Sequence, residues 1–553
     1  MPRSAAHIFL VHGDIRRIAC DGWLMPCGPT FVHEADSWYP EYKDRWQARP
    51  GKIYADGRVA RVQSWPPPGG APSLSEPWLV DVVGDEQPID YFVERALLFI
   101  EVASRWLKKH PESIRLTRRS RPLLALPLVG TGGGGAAYRA GDMAAALLPA
   151  LQAKATQCGV DVALVLLHAS KYAATVRVRE QTLGEDPRKW PVALSEQEYH
   201  ALEELADWAR KGQLVLFIGA GVSIGAGLPS WDGLLTQLAV DENILPPNDP
   251  DFRDRFHKLN PLDRARVIEM ELLRRDETIA DALGRILHAH PNPSLAHCLL
   301  AMLPCDEAVT TNYDELFEIA CQGNGRPVAA LPWEAVSEKS RWVLKLHGSL
   351  DHPDDLVFTR SDYLRYDERR AALKGIVQAM LMTRMMLFVG FSMNDDNFHR
   401  IIDDVRKARV HAPLSEQARL ARDENSPAMH GSRRFGASLG LRDDPVFERL
   451  WGQDLKQISV EDRNCPGAED PAARRLEIFL DALAQKSAAA NAHLLDQRFD
   501  AILSEHERRL RDLLIELDAQ ADEGVRATRT WPLVEDLLRT LGGGTRHVPS
   551  DED

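Results

Sequence analysis

Polar residues suited to catalysis follow two apolar stretches in the second half of the chain. Asn312 comes after the stretch at 306–311, and His347 comes after the stretch at 342–346. An imidazole titrates near neutral pH, so His347 is the natural candidate for a general base. Taken singly, Asn312 is also typical of an Asx turn, and a histidine before a Gly-Ser turn is often structural. Together they predict a site for general acid–base chemistry.

Four apolar segments must position these side chains. They have the pattern of buried strands, and they lie at 214–218, 306–311, 342–346 and 385–389. In an open parallel sheet, ligands bind beyond the carboxyl ends of the strands. We therefore expect the four strand ends to converge on one crevice.

The segment GAGVSIGAG at 219–227 follows the first of these strands and contains four glycines. Glycine lets the backbone approach a phosphate closely, and free N–H groups at the start of the next helix face its charge. The spacing Gly-x-Gly-x-x-x-Gly differs from the ordinary dinucleotide fingerprint. The segment predicts a phosphate cradle, with a simple strand-to-helix turn as the alternative.

The first 185 residues have the pattern of a separate α/β unit. Apolar strands alternate with amphipathic helices at 89–106 and 139–157, and a glycine run follows a strand at 123–129. This alternation predicts a sheet covered by helices on its faces. Residues 180–194, with two prolines and mixed charge, are expected to form a linker to the second half.

Composition limits the class of protein. A length of 553 residues predicts two to four domains, and 44% hydrophobic with 27% charged residues is ordinary for a globular protein. The net charge of −14 argues against a general nucleic-acid binder. The seven cysteines form no Cys-x-x-Cys pair, and no apolar run is long enough to span a membrane. We therefore expect a cytoplasmic protein without a bound metal.

The glycine-rich elements of the first half carry a family resemblance. Gly13-Asp14-Ile15 after the first strand, and LPLVGTGGGG further on, resemble a macro domain, a fold that binds ADP-ribose. The resemblance implies that Asp14 meets the adenine amino group. It also implies that a loop wraps the diphosphate, formed by Gly130, Thr131, Gly132, Gly133 and Gly134. Macro-domain hydrolases carry asparagines soon after the second strand, where this chain has MPCGP, so the resemblance favours binding over hydrolysis.

Five motifs of the second half carry a more specific resemblance. In order, GAGVS, LPSW, TTNYD, KLHGS and GFSMNDD resemble the Sir2 superfamily, specifically its bacterial branch of NAD-consuming defence proteins. The resemblance covers roughly residues 195–485. Classical Sir2 deacetylases add a four-cysteine zinc module and a substrate-binding segment that have no counterpart in this sequence. Hydrolysis of NAD at the nicotinamide–ribose bond is therefore favoured over deacylation.

The Sir2 resemblance assigns roles to individual residues. It makes Asn312 and His347 the catalytic pair, and Gly390 part of the last strand-end loop of the NAD site. It implies a phosphate cradle, ribose contacts and a loop over the nicotinamide half. The phosphate cradle comprises Gly219, Ala220, Gly221 and Ser223; the ribose contacts are Asp314 and Ser392; Asp395 matches the acidic position of the NAD site after the last strand; and the closing loop carries Pro229, Trp231 and Asp232.

The resulting domain organisation is α/β in both halves. We expect a macro-like nucleotide-binding domain at 1–185, a Rossmann-like Sir2 domain with a parallel sheet at 195–487, and a helical C-terminal segment at 488–541. Residues 411–441 are expected to form a long surface excursion. Apolar residues at alternating three- and four-residue steps between 494 and 517 predict a heptad-like helical seam. That seam would contact either its own domain or another subunit.

These observations favour an NAD glycohydrolase acting in antiphage defence. Its macro-like half would bind an ADP-ribose-type nucleotide signal, and oligomer formation or a protein from a neighbouring gene would assist control. One alternative is a Sir2-type deacylase or ADP-ribosyltransferase. Another is a non-catalytic nucleotide-binding regulatory subunit. Neither membrane binding nor direct nucleic-acid binding is expected.

Overall fold

The computed structural model describes most of the chain. The described residues are 5–29, 33–34, 38–42, 46–53, 58–82, 84, 87–112, 119, 121–132, 135–246, 249–336, 341–410, 434–461, 469–488 and 491–543. Within these ranges, no helix is both long and apolar enough to cross a lipid bilayer.

Residues of the first half form one mixed sheet. Its strand order is β1-β9-β8-β2-β7-β6-β5, parallel except for the antiparallel pairs that join β5, β6 and β7. A small antiparallel pair, β3-β4, lies apart from it. The strands are β1 (Ile8–His12), β2 (Gly22–Cys27), β3 (His33–Glu34), β4 (Gln47–Ala48), β5 (Pro50–Ile53), β6 (Val59–Val62), β7 (Pro77–Asp81), β8 (Leu123–Pro127) and β9 (Asp161–Leu166).

Three helices accompany this sheet: α1 (Ile89–Lys109), α2 (Ala140–Cys158) and α3 (Ala169–Leu183). The apolar side of α1, including Phe92, Phe99 and Ala103, is fully buried. The alternation of strands and helices predicted from the sequence is thus confirmed, since apolar residues at helical spacing need a face on which to pack.

The second half is built on a fully parallel sheet. Its order is β12-β13-β11-β10-β14-β15-β16, which confirms the Rossmann-like architecture. The strands are β10 (Leu214–Ile218), β11 (Glu307–Thr310), β12 (Ala329–Leu331), β13 (Trp342–Lys345), β14 (Met385–Val389), β15 (Gly436–Gly440) and β16 (Leu455–Ser459).

Helices flank the second sheet and continue to the C-terminal segment. The entry helix α4 begins with the predicted capping box, in which Ser195 and Glu198 satisfy each other's backbone N–H groups. The helices are α4 (Glu196–Arg210), α5 (Trp231–Asp241), α6 (Pro250–Lys258), α7 (Pro261–Leu273), α8 (Ile279–Leu287), α9 (Leu295–Met302), α10 (Leu316–Gly323), α11 (Arg360–Leu364), α12 (Tyr366–Thr383), α13 (Asp396–Val410), α14 (Pro445–Trp451), α15 (Glu469–Ser487), α16 (Glu505–Gln520), α17 (Glu523–Arg526) and α18 (Trp531–Thr540).

The predicted surface excursion at 411–441 is wrong at its C-terminal end. Residues 436–440 form β15, which is paired on both sides by β14 and β16. The sequence GASLG has few large apolar residues, so its pattern gave no sign of a buried strand. At Gly436, where φ is +156°, an added Cβ would lie 1.9 Å from the Met386 carbonyl oxygen. Residues 411–433 lie outside the described part of the chain.

The heptad-like seam at 494–517 is interrupted. Residues 497–502 form a 3₁₀ turn that buries Phe499 and Ile502, and α16 starts only after the capping residue Ser504. The capping box of Ser504 and Glu507 breaks the continuous helix that the spacing predicted. Leucines of α16, such as Leu513, are exposed.

The expected linker is packed against both halves. Residues up to Leu183 belong to α3, and Trp190 is buried beneath the Arg179 guanidinium, 4.6 Å from its ring centre. The Asp481 carboxylate of α15 accepts hydrogen bonds from Arg179 at 2.7 Å and contacts His7 of the first half at 2.8 Å. A buried ion pair therefore joins the two halves next to the expected linker.

Candidate functional site

The ends of four parallel strands lie side by side in the second sheet. Ile218 pairs with Thr310 on one side and with Val389 on the other, and Thr310 pairs in turn with Lys345. The polar segments after these residues therefore start from adjacent positions on one sheet edge. This confirms the predicted convergence of the strand ends.

Three glycines let the loops after β10 and β14 touch backbone to backbone. A Cβ on Gly219 would lie 2.5 Å from the Gly390 carbonyl oxygen, and one on Gly221 would lie 2.7 Å from the Gly390 Cα. Gly390 itself has φ of +66°. Only glycine fits these contacts.

The N–H groups of the same loop are already engaged. Gly219 donates to the Val389 carbonyl and Gly221 to the Gly390 carbonyl, each at 2.9 Å. These two N–H groups are thus unavailable to a phosphate in this arrangement, and the glycines serve the close contact of the two loops. Ala220, between them, is partly exposed at the start of the 3₁₀ turn that ends at Ala226.

Ser223 connects two of the predicted site residues. Its buried Oγ donates to Asp314 Oδ2 at 2.9 Å and accepts from Asn312 Nδ2 at 3.2 Å. Ser223 thus links Asn312 to Asp314, and its expected contact with the phosphate stays a prediction.

Asn312 is buried with one polar atom unsatisfied. Its backbone N–H donates to Thr310 Oγ1 at 3.0 Å, which fixes the turn after β11. Its Oδ1 has no hydrogen-bond partner among the residues that the structure describes. A buried amide oxygen without a partner is costly unless a ligand or water completes it.

Asp314 is held in a buried, charged surrounding. Burial raises the pKa of its carboxyl, and the Lys345 charge and the Ser223 hydrogen bond partly oppose this. Lys345 is almost fully buried and donates to the Asp314 carbonyl at 2.6 Å and to Glu318 Oε1 at 2.9 Å. This lysine therefore fixes the backbone of the loop that carries the site.

His347 lies in an aromatic pocket beside a carboxylate. Its Nε2 is 3.3 Å from Asp395 Oδ2 but makes no hydrogen bond to any described residue. Burial lowers the pKa of His347 below its usual value of 6.5, and the Asp395 charge partly opposes this. The Tyr363 ring meets the imidazole edge to face, with ring centres 5.5 Å apart. A neutral imidazole is therefore the form present at neutral pH.

Both carboxylate oxygens of Asp395 accept hydrogen bonds from other residues of the protein. Its Oδ1 caps α13 by accepting from the Phe398 N–H at 2.8 Å, and its Oδ2 accepts from the Tyr363 hydroxyl at 2.9 Å. The neighbouring Ser392 is exposed on the loop after β14. The predicted contact of Ser392 with the ribose stays a prediction.

Of the expected closing loop, only Pro229 lies outside a helix, because Trp231 and Asp232 belong to the first turn of α5. Trp231 is half-buried and packs edge to face on Phe358, with ring centres 5.1 Å apart, and it also contacts Tyr313. Asp232 is exposed and pairs with the buried Arg264. Pro229 packs against the first turn of α5 near Gly233. These residues stabilise one another at the start of α5.

Sequence reasoning missed His297, Lys345 and Tyr363. His297 is fully buried in α9, with Nε2 3.5 Å from Ser223 Oγ. Its one local signal is a capping position three residues after Ser294. Tyr363 gave no signal, because its contact with Asp395 joins segments 32 residues apart.

In the first half, Asp14 is engaged within its own loop. Its carboxylate caps the turn Ile15–Arg17 and pairs with Arg16 at 2.6 Å. That turn rests on the second half, where the Ala19 N–H donates to the Pro293 carbonyl at 2.8 Å.

The start of the first-half glycine run packs on α1 and α3. Gly130, with φ of +74°, has no room for a Cβ beside Phe92. The buried Thr131 offers its carbonyl to Lys171 at 3.2 Å, and Gly132 follows it. Gly133 and Gly134 lie outside the described residues.

Comparison with known proteins agrees with this geometry. The protein-family model described as a SIR2-like domain matches residues 306–441. The chain is 24% identical to "Defense-associated sirtuin 2" of Bacillus subtilis, covering 48% of this chain and 26% of that protein. It is 30% identical to "NAD(+) hydrolase ThsA" of Enterococcus faecium, covering 47% and 53% respectively. A protein of the same name from Bacillus cereus (strain MSX-D12) is 27% identical, covering 38% and 44%.

The chain spans about half or less of the length of these curated relatives. The matched region contains the TTNYD, KLHGS and GFSMNDD segments, whose strand ends meet at the crevice. Residues 306–441 are therefore similar to the SIR2-like domain family.

Proposed function

We propose that this chain is an NAD glycohydrolase, which cleaves NAD to nicotinamide and ADP-ribose and so depletes NAD during antiphage defence. One observation carries the proposal. Asn312 Oδ1 and His347 Nε2 are both buried, both lack a hydrogen bond within the described structure, and both follow adjacent parallel strands. The names of the relatives, NAD(+) hydrolases and a defence-associated sirtuin, supply the substrate and the setting.

The chemistry fits a neutral base and an amide. Water attacks C1′ of the nicotinamide ribose, and nicotinamide leaves with the electron pair of the broken C–N bond. Positive charge spreads onto the sugar in the transition state. Neutral His347 accepts the proton of the water at its Nε2 atom, and Asn312 orients the water or a ribose hydroxyl through its free Oδ1. Burial of both groups excludes bulk solvent.

The remaining predicted residues are proposed to bind the substrate. The loop of Gly219, Ala220 and Gly221 admits the diphosphate because it has no side chain larger than a methyl group. Asp314, held by Ser223, would face the ribose, together with the exposed Ser392 of the loop that begins at Gly390. Pro229, Trp231 and Asp232, at the start of α5, would close over the nicotinamide half of NAD. Asp395 acts through His347.

The first half is proposed to bind an ADP-ribose-type nucleotide that controls the enzyme. Asp14 and the run from Gly130 to Gly134 would form that site. The turn after Asp14 rests on the segment that leads into α9, through the Asn292 amide, which donates to the Arg16 carbonyl at 2.7 Å. Homo-oligomers or a partner protein encoded nearby would add a further level of control.

The test is a product analysis in H₂¹⁸O. Purified protein is incubated with NAD, alone and with candidate ADP-ribose-type nucleotides or lysate of infected cells. Hydrolysis predicts equal amounts of nicotinamide and ADP-ribose, with ¹⁸O at C1′. Products that form only with an acylated peptide, or transfer of ADP-ribose to protein, would favour the deacylase or transferase alternative. NAD binding without turnover under every condition would favour the regulatory subunit.

A further inference from the structure

A fully buried histidine outside the proposed catalytic pair, His297, contacts the Ser223 side chain of the site. His297 lies in the first turn of α9, and its Nε2 is 3.5 Å from Ser223 Oγ. Burial lowers its pKa to about 3, so it is neutral at any working pH. Within the proposed mechanism it touches neither the substrate nor the reacting atoms.

The surroundings of His297 determine which of its nitrogens carries the proton. The Ser294 backbone N–H points at Nδ1 from 3.2 Å, and the Ser294 hydroxyl lies 2.9 Å from the same atom. A backbone N–H can only donate, so Nδ1 must accept, and the single proton of the neutral ring lies on Nε2. His297 therefore donates to Ser223.

This donation determines the direction of the hydrogen bonds at Ser223. Its Oγ accepts from His297 and has one proton of its own, which goes to Asp314 Oδ2 at 2.9 Å. Ser223 can then only accept from Asn312, so the amide must present Nδ2 to it, at 3.2 Å. Oδ1 of Asn312 is left facing away from Ser223. With the opposite tautomer, the Ser223 proton could turn to His297 and leave Asp314.

We infer that His297 is a positioning residue, which donates from Nε2 to Ser223 and thereby determines which atom of the Asn312 amide meets the substrate. The inference rests on the proposed function, since it assigns Asn312 its orientation for NAD cleavage. The position of His297 is itself fixed, because Ser294 Oγ donates to its Nδ1 at 2.9 Å and lies 2.8 Å from the Val222 carbonyl, next to the glycine loop.

Two matched variants separate the structural and positioning roles. His297→Asn keeps an acceptor near Nδ1 for the Ser294 N–H but is too short to reach Ser223. His297→Gln places an amide N–H near the position of Nε2. We expect His297→Asn to lower kcat roughly tenfold with KM within about twofold, and His297→Gln to restore most of the rate.

A double-mutant cycle tests whether the effect passes through Ser223. In a Ser223→Ala background, His297→Asn should cause no further loss of kcat. Equal rates for wild type and His297→Asn, a Gln variant as slow as the Asn variant, or losses that multiply in the double mutant would each overturn the inference.

A spectroscopic measurement separates this inference from the proposed function. In protein with ¹⁵N-labelled histidine, the His297 signal, assigned by its loss in His297→Gln, should show the Nε2–H tautomer and shift in Ser223→Ala. The Nδ1–H tautomer would overturn the inference even if NAD is cleaved. Conversely, absence of turnover in wild type with the expected tautomer would count against the proposed function alone.

Discussion

His347 Nε2 lies 3.3 Å from Asp395 Oδ2, and this carboxylate is also bound by the Tyr363 hydroxyl and the Phe398 N–H. Two fixed donors hold the carboxylate in place beside the imidazole. The charge of Asp395 therefore opposes the lowering of the His347 pKa by burial, and in the proposed mechanism Asp395 adjusts the basicity of His347.

The first prediction concerns the acid side of the pH–rate profile. The Asp395 charge raises the pKa of His347, whereas burial lowers it. Asp395→Asn removes the charge, so the pKa of His347 should fall further and the acid limb of kcat/KM should move to lower pH. The measurement is nicotinamide release between pH 4.5 and 8, a range that brackets the ordinary histidine pKa of about 6.5.

Tyr363→Phe is the matched control for this profile. It removes a hydrogen bond to Asp395 but keeps the charge, so its acid limb should stay nearer to that of wild type. An acid limb that moves to higher pH in Asp395→Asn would contradict the assignment of His347 as the base.

The second prediction concerns the interlocked glycine loops. Gly221→Ala places a Cβ 2.7 Å from the Gly390 Cα, and backbone on both sides cannot yield easily. We expect a loss of about 2 kcal/mol or more in the free energy of unfolding. Urea denaturation measures it.

Gly375→Ala is the control, because Gly375 lies inside α12 with open space around its Cα. Alanine should stabilise that helix by roughly 0.5–1 kcal/mol. If Gly221→Ala behaved like Gly375→Ala, the close contact of the two loops would be refuted.

The third prediction concerns the buried lysine beneath the site. Lys345→Met leaves Glu318 without its cation at 2.9 Å and the Asp314 carbonyl without its donor. Removing one partner of a buried pair costs about 3–5 kcal/mol, so thermal unfolding should occur at a clearly lower temperature. Adding Glu318→Gln removes the stranded charge and should recover part of the loss. A single variant as stable as wild type would contradict the pairing.

The fourth prediction concerns stability in acid. Burial lowers the pKa of His12 to about 4 in the folded protein, whereas the ordinary value is 6.5. As the pH falls, the unfolded chain therefore binds this proton before the folded protein does. The contribution of His12 to the free energy of unfolding is complete above about pH 6.5 and declines as the pH falls towards 4. The slope is about 1.4 kcal/mol per pH unit for one such histidine. Urea unfolding at pH 7.5, 6 and 5 measures it.

His12→Gln should lose stability less steeply over that range. His200→Gln, on the exposed side of α4, should keep the slope of wild type. Equal slopes in all three proteins would show that His12 does not carry the effect.

Much of the fold follows from local patterns in the sequence. The apolar stretch LVLFI and the Ser195–Glu198 capping box predict β10 and α4 because their signals are complete within a few residues. Asn312 and His347 could be found because each immediately follows such a strand. The strand β15 could not, because glycine and serine in GASLG are buried by pairing with β14 and β16 and not by their own hydrophobicity.

The residues that contact the site residues from other helices could not be predicted from the sequence for a similar reason. His297 meets Ser223 across 74 residues, and Tyr363 meets Asp395 across 32. Such contacts depend on how α9 and α11 pack, which no local spacing encodes. The sequence pattern identified the glycines of the loop after β10. Their backbone contact with the loop after β14 could not be predicted, because it depends on the position of Gly390 in the folded chain.

The most direct test of the central claim is nicotinamide release from NAD by wild type, Asn312→Ala and His347→Ala under the same activating conditions. The account predicts equimolar nicotinamide and ADP-ribose from wild type, and losses of roughly a hundredfold or more in each variant with NAD binding retained. Turnover that persists unchanged in either variant would contradict it.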